Sequence, residues 1–116
     1  TVKDIERSIR FYRDILGCPL ISFGSERQAV MLGQSKINFH RADSPIVPHA
    51  QTPVPGSADF CLITDSPIEE VINEIQMKGV KIELGPVKRT GATGEILSIY
   101  LRDPDGNLIE IGSYNF

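Results

Sequence analysis

The chain has 116 residues, enough for one domain with one core, and its 41% apolar and 23% charged residues suit a globular protein rather than a disordered tail. A net charge of −3, with Lys and Arg scattered along the chain, excludes the basic face of a nucleic-acid binder. No apolar run reaches the roughly 20 residues of a membrane span, no signal-like segment opens the chain, and Cys18 and Cys61 make no disulfide framework, so a cytoplasmic protein without a membrane partner is expected.

Asp4 is placed to cap a first helix, whose apolar residues Ile5, Ile9, Tyr12, Ile15 and Leu16 form one stripe and which Gly17 stops. Residues 20–23, 28–32 and 36–40 read as three short strands, with turns at Gly24-Ser25 and Gly33-Gln34. Residues 43–56 hold Pro45, Pro48, Pro53 and Pro55 and read as a linker between modules of about residues 1–42 and 57–116, the whole forming one domain over 1–116. A buried-looking strand at 58–63 follows. Ser66, Pro67 and Glu69 then give a capping box for a second helix with Ile68, Val71, Ile72 and Ile75 on its apolar face and Gly79 at its end. Strands are expected at 80–84, 96–101 and 107–111, the last two joined by the tight turn Asp103, Pro104, Asp105, Gly106. Residues 88–94 between them read as a flexible cationic loop. Both cysteines are read as small buried hydrophobes.

The two halves repeat. Ile5, Ile9 and Tyr12 precede Ile68, Ile72 and Ile75 by a constant interval, and each helix is followed by three strands. Only Thr1 and Val2 stand where a strand would precede the first helix. The fold class is α+β: two βαβββ modules with the first strand cut short. Strand parity divides each strand into an apolar face for the helices and a second, mostly polar face. Asn38, His40, Asp59, Cys61, Ser98, Tyr100, Arg102 and Glu110 fall on the second face. An imidazole, carboxylates, a hydroxyl and a phenol are the groups that bind metals and orient ligands. A solvated antiparallel face is the plainer alternative.

Three segments resemble the vicinal-oxygen-chelate (glyoxalase/bleomycin-resistance/dioxygenase) superfamily. They are the run from Leu101 to Ile111 with its Asp-Pro-Asp-Gly-Asn-x-x-Glu pattern, the opening helix with Phe11, Tyr12, Arg13, Asp14, Ile15, Leu16 and Gly17, and Pro55 to Asp59 before the second module. The chain looks most similar to small glyoxalase-domain proteins of virulence type. The resemblance implies a curled mixed sheet, helices on its outer face, around a divalent metal (Zn, Ni, Mn, Fe or Mg). Glu110 falls on the terminal glutamate ligand and Asp59 on a position usually held by histidine, which shifts the expected metal toward oxygen-preferring Mg²⁺, Mn²⁺ or Fe²⁺. His40 is near a further ligand position, and a histidine preceding Thr1 is the expected remaining ligand. Ser98 and Asn38 are expected to contact substrate. Tyr100 would donate to an oxyanion or carbonyl, and Arg89 would meet an anionic substrate from a closing loop. The implied activity is that of a metal-dependent, glyoxalase- or dioxygenase-type enzyme, such as a lactoylglutathione-lyase-like protein, working as a homodimer on a small oxygenated substrate. The alternatives are a non-catalytic drug-binding protein of the bleomycin-resistance type and a domain with a dead site.

Overall fold

The computed structural model describes residues 1–116, and they fall into two compact units: residues 1–57 with 104–106, and residues 58–103 with 107–116. In the first unit, helix α1 (Ile5–Ile9) starts at Asp4, whose carboxylate accepts the Arg7 N–H at 3.2 Å as the sequence predicts. The helix then widens into a π-helical stretch over Arg10–Ile15, marked by the Leu16 N–H donating to the Phe11 carbonyl five residues back. Across the join of the two windings Ser8, Ile9, Phe11 and Tyr12 are all buried, a broader inward face than the stripe of Ile5, Ile9 and Tyr12. Gly17, with φ 76°, ends the run.

Strands β1 (Leu20–Phe23), β2 (Arg27–Leu32) and β3 (Ser35–Asn38) form an antiparallel sheet in the order β1-β2-β3. Val30, Ile37 and Phe39 lie on its helix side, where the Phe39 ring packs 6.0 Å from Tyr12. The third strand ends two residues earlier than expected, so His40 lies outside it. The backbone there is diverted: Val2 N–H donates to the His40 carbonyl at 2.8 Å and Ala42 N–H to the Val2 carbonyl at 2.9 Å. Ahead of α1, Val2 makes a one-residue parallel bridge to Arg41.

The second unit contains β4 (Asp59–Ile63), α2 (Ile68–Met77), β5 (Leu84–Gly91), β6 (Gly94–Arg102) and β7 (Leu108–Ser113), with a mixed sheet in the order β4-β7-β6-β5. Strand β4 runs parallel to β7; the other pairs are antiparallel. The core is Ile68 and Ile75 from α2 against Ile99, Leu101, Ile109 and Ile111. The repeat is real at the level of hydrogen bonds. Thr64 N–H donates to the Gly112 carbonyl at 2.9 Å, just as Val2 N–H meets the His40 carbonyl.

Three local expectations need correction. The capping box does not form: Pro67 itself occupies the cap, no side chain caps the helix, and the Ser66 N–H instead donates to Thr64 Oγ1 at 3.1 Å. Proline holds the preceding residue extended, which leaves Ser66 one residue too far out. The segment 80–83 is not strand, and 88–91 is strand rather than mobile loop; only Ala92 and Thr93 make the turn. The register shifts between Leu84 and Val87, at Gly85 and Pro86. Proline cannot donate to the ladder, and bulges take such residues. Past the bulge the strand resumes despite its charges, because an edge strand can carry them into solvent.

Candidate functional site

Strand parity sets out three rows across the helix-free face of the second sheet. Cys61, Glu110, Tyr100 and Leu84 are partners in one row. Asp59, Leu108 and Arg102 form the row on one side of it, and Ile63, Gly112, Ser98 and Val87 the row on the other. The face is mixed: Asp59, Cys61, Ile63, Leu84 and Arg102 are exposed, and the middle of the sheet is closed. Ile96 and Ser98 have no exposure, and Tyr100 and Glu110 are half-buried.

Glu110 is the centre of the arrangement. The buried Ser98 hydroxyl donates to its Oε2 at 2.6 Å, a charge-assisted bond of the strong class. Gly112 makes room for this: a Cβ there would strike the Ile96 side chain and come within 3.0 Å of Ser98 Oγ. Across the row, Cys61 stands directly opposite Glu110. Desolvation of the sulfur first, and then the Glu110 charge, push the thiol pKa up. Cys61 is exposed as a residue, which corrects its reading as a buried hydrophobe; Cys18 is buried as expected. The sequence had already placed Cys61 on the polar face by alternation, and that parity was the signal for its place beside Glu110.

Tyr100, the other neighbour of Glu110, accepts from Arg89 Nε at 3.3 Å, with the guanidinium 5.7 Å from the ring centroid. Arg89 therefore stands on a strand and not on a loop. Asp59 is exposed and shares the face, but lies diagonal to Glu110, with Cys61 directly opposite the glutamate instead. Arg102 makes a two-bonded pair with Glu83 at 3.1 Å for each bond. Arg102 holds the Glu83 carboxyl below its usual range, and Glu83 raises Arg102, with a smaller contribution from Asp59.

In the first unit, His40 is half-buried and its Nδ1 accepts the Ile46 N–H at 3.3 Å. Burial, followed by the charge of Arg27, lowers its pKa, which favours the neutral ring. A neutral imidazole whose Nδ1 accepts carries its proton on Nε2. His40 thereby anchors the linker. In the register of the internal repeat, His40 stands where Gly112 does, and Asn38 stands where Glu110 does. Asn38 is exposed.

The superfamily commonly uses divalent metals. The donors on the second sheet fit an oxygen-preferring cation in kind: Asp59 and Glu110 are carboxylates on one face, and the serine behind Glu110 is the sort of outer partner that orients a ligating carboxylate. Within either unit no three His, Cys, Asp or Glu side chains converge, and the two carboxylates of this face are Asp59 and Glu110.

The residues that made the sequence recognisable are mostly structural. Asn107 donates its backbone N–H to Asp103 Oδ1 at 2.9 Å and its amide to Oδ2 at 2.7 Å, while its own Oδ1 accepts the Ala58 N–H at 2.9 Å. Asp105 accepts the Lys3 N–H at 3.0 Å and lies 3.6 Å from Arg7. Asn107, buried against Asp103 and bonded to Ala58, fixes where β4 starts relative to β7, and so sets Cys61 opposite Glu110.

The sequence profile of the Glyoxalase/Bleomycin resistance protein/Dioxygenase superfamily matches residues 1–111. Virulence protein STM3117 of Salmonella typhimurium is 54% identical over 114 residues, 98% of this chain and 79% of that protein. Its crystal structure matches with a TM-score of 0.95 at 53% identity, covering 97% of this chain and 90% of that one. An integron cassette protein from the mobile metagenome of V. cholerae matches with a TM-score of 0.95 at 46% identity, covering 98% and 89% of the two chains. Glyoxalase domain-containing protein RDO1 of Mycosarcoma maydis is 45% identical over 114 residues; this chain spans 98% of its own length there and 64% of that protein's. No helix is long and apolar enough to cross a membrane. With nearly its whole length matched and two solved folds superposing this closely, the chain belongs to the Glyoxalase/Bleomycin resistance protein/Dioxygenase superfamily.

Proposed function

We propose that this chain is a divalent-metal-dependent enzyme of the glyoxalase/dioxygenase type, acting on a small oxygenated substrate, with Glu110 as its central carboxylate. The observation that carries the reading is the 2.6 Å bond from fully buried Ser98 to Glu110 on the helix-free face. A carboxylate fixed this way is already oriented before any ligand arrives, which is what a metal ligand or proton-transferring base needs. Glu110 and Asp59 would hold the metal. When bound, a divalent cation supplies Lewis-acid stabilisation of a developing oxyanion. Glu110 takes up and returns a proton at Oε1, because Oε2 is engaged by Ser98. Tyr100, its row neighbour, donates its hydroxyl hydrogen to a substrate oxygen, and Arg89 keeps that phenol in place through the 3.3 Å bond. Ser98 serves by holding Glu110 rather than by meeting substrate. A homodimer, and a location in the cytoplasm, belong to the same proposal.

A second reading is favoured by the absence of three converging ligands within either unit: a small-molecule binding protein of the bleomycin-resistance type, without catalysis. Metal content separates the two. The purified protein is expected to hold a divalent metal that Glu110→Ala and Asp59→Ala each remove, measured by elemental analysis of folded protein. Metal retained in both variants, or no metal alongside tight binding of an organic ligand, overturns the enzyme reading.

A further inference from the structure

At one end the second sheet narrows to two strands. Strand β7 pairs with β6 as far as Ser113 opposite Leu97, whereas β5 and β6 run on together, with Arg89 opposite Ile96, Thr90 opposite Glu95 and Gly91 opposite Gly94. A two-stranded ribbon is marginal in water and twists more than a wider sheet. Arg89 is the first β5 residue of this overhang, and the 3.3 Å bond from its Nε to the Tyr100 hydroxyl reaches back from the overhang to the row that holds Glu110. The placing of the ribbon therefore decides whether Arg89 meets the phenol.

The segment after β7 supplies what holds the ribbon. Tyr114 carries on the alternation of Glu110 and Gly112 and so lies on the helix-free side. Its hydroxyl accepts the Thr93 N–H, at the turn of the ribbon, at 3.2 Å. It also presses on the ribbon backbone: a Cβ on Gly91 would lie 2.5 Å from the Tyr114 hydroxyl oxygen. Tyr114 is half-buried, and the residue after it is tied down. The Asn115 N–H donates to Ser113 Oγ at 3.1 Å, and the Asn115 amide donates to the Asp65 carbonyl, just past β4, at 3.2 Å. The Phe116 ring lies 5.7 Å from the ammonium of Lys88, the neighbour of Arg89. The phenol is thus a post anchored in the wide part of the sheet that grips the narrow part. We propose that Tyr114 is a positioning residue for Tyr100: it latches the overhanging ribbon through Thr93 and Gly91, and so keeps Arg89 on the Tyr100 hydroxyl. A phenol oxygen that accepts from a guanidinium keeps its own hydrogen for another acceptor. The meaning of the latch for catalysis rests on the reading of Tyr100 as donor to a substrate oxygen; the latch itself does not.

Tyr114→Phe removes the acceptor of the Thr93 N–H and keeps the ring, while Gly91→Ala pushes the phenol off the ribbon from the other side. Tyr100→Phe marks where the Arg89 Nε–H signal lies once its acceptor is gone. In nitrogen-resolved NMR of the full chain, that signal is expected to move in both latch variants toward its position in Tyr100→Phe. Its exchange with water is expected to quicken about fivefold, the effect of losing one neutral hydrogen bond. The Arg102 Nε–H, bonded to Glu83 away from the ribbon, is expected to stay fixed, which a general loosening of the fold would not allow. An Arg89 signal unmoved in Tyr114→Phe while the Thr93 amide shifts overturns the proposal, and so does a shift of Arg89 and Arg102 together. Neither metal nor substrate is needed, so the outcome is read apart from the elemental analysis that tests the enzyme reading. Metal-free protein whose Arg89 signal moves as expected supports the latch and removes only the catalytic reading.

Discussion

Asn107 shows how much one side chain of the recognisable motif does. It joins buried Asp103 to the start of β4 through three hydrogen bonds, and Asn107→Ala removes two of them, the amide donation to Asp103 Oδ2 and the acceptor of the Ala58 N–H, while the backbone N–H bond to Asp103 Oδ1 remains. A loss of about 2–4 kcal/mol in unfolding free energy is expected from urea titration; a loss below about 0.5 kcal/mol, the range of ordinary surface changes, would sink this account. His40 is the second residue with a testable role. Its pKa is lowered in the folded chain, so between that value and the ordinary one the unfolded chain binds more protons. The His40 contribution is therefore complete above the ordinary histidine pKa of about 6.5 and disappears as pH falls through the folded value. Thermal midpoints are expected to drop on acidification from neutral pH, and His40→Gln is expected to flatten that drop. An equally steep pH profile in the variant would assign it to other groups.

At the scale of elements, the β5 bulge is the feature that most affects the site, because it sets which β5 residues face Tyr100 and brings Arg89 to it. Gly85 has φ 113°, and a Cβ there would lie 2.6 Å from the Ser98 carbonyl oxygen. Both the backbone angle and the close approach exclude a side chain. Gly85→Ala is expected to cost about 2 kcal/mol or more by chemical denaturation, and to disturb the Ser98–Glu110 bond from behind. A fully stable Ala variant would mean the strand can slide past the bulge. The π-helical stretch is a similar case. The apolar stripe announced a helix over the right residues, but its winding depends on burying Phe11 against Tyr12, where the rings meet edge-on at 5.1 Å.

For the molecule as a whole, the two thiols give a simple reading of the packing. Cys18 is buried and Cys61 exposed, and both thiol pKa values are raised, by burial in each case first. One of these two cysteines is expected to react with a disulfide reagent in the native state and both in denaturant. The native reaction should be slow at neutral pH and accelerate in alkali, because the thiolate is the nucleophile. Rapid modification of both sites in native protein would contradict the packing of the first unit around Tyr12 and Cys18.

Alternating hydrophobicity, turn residues and the internal repeat were enough to place the helices and most strands, because those signals are local and depend on a residue's own neighbours in the chain. The polar face was legible for the same reason: Asp59, Cys61, Ser98, Tyr100 and Glu110 fall together by parity alone. What parity does not contain is register. Cys61 rather than Asp59 stands opposite Glu110, Asn38 rather than His40 matches it in the repeat, and residues 88–91 belong to a strand, because each of these follows from pairings between residues far apart in sequence. Hydrogen bonding then decided the chemistry of single groups. The Ile46 N–H fixes the His40 tautomer and the buried Ser98 hydroxyl orients Glu110, and neither contact exists until the chain has folded.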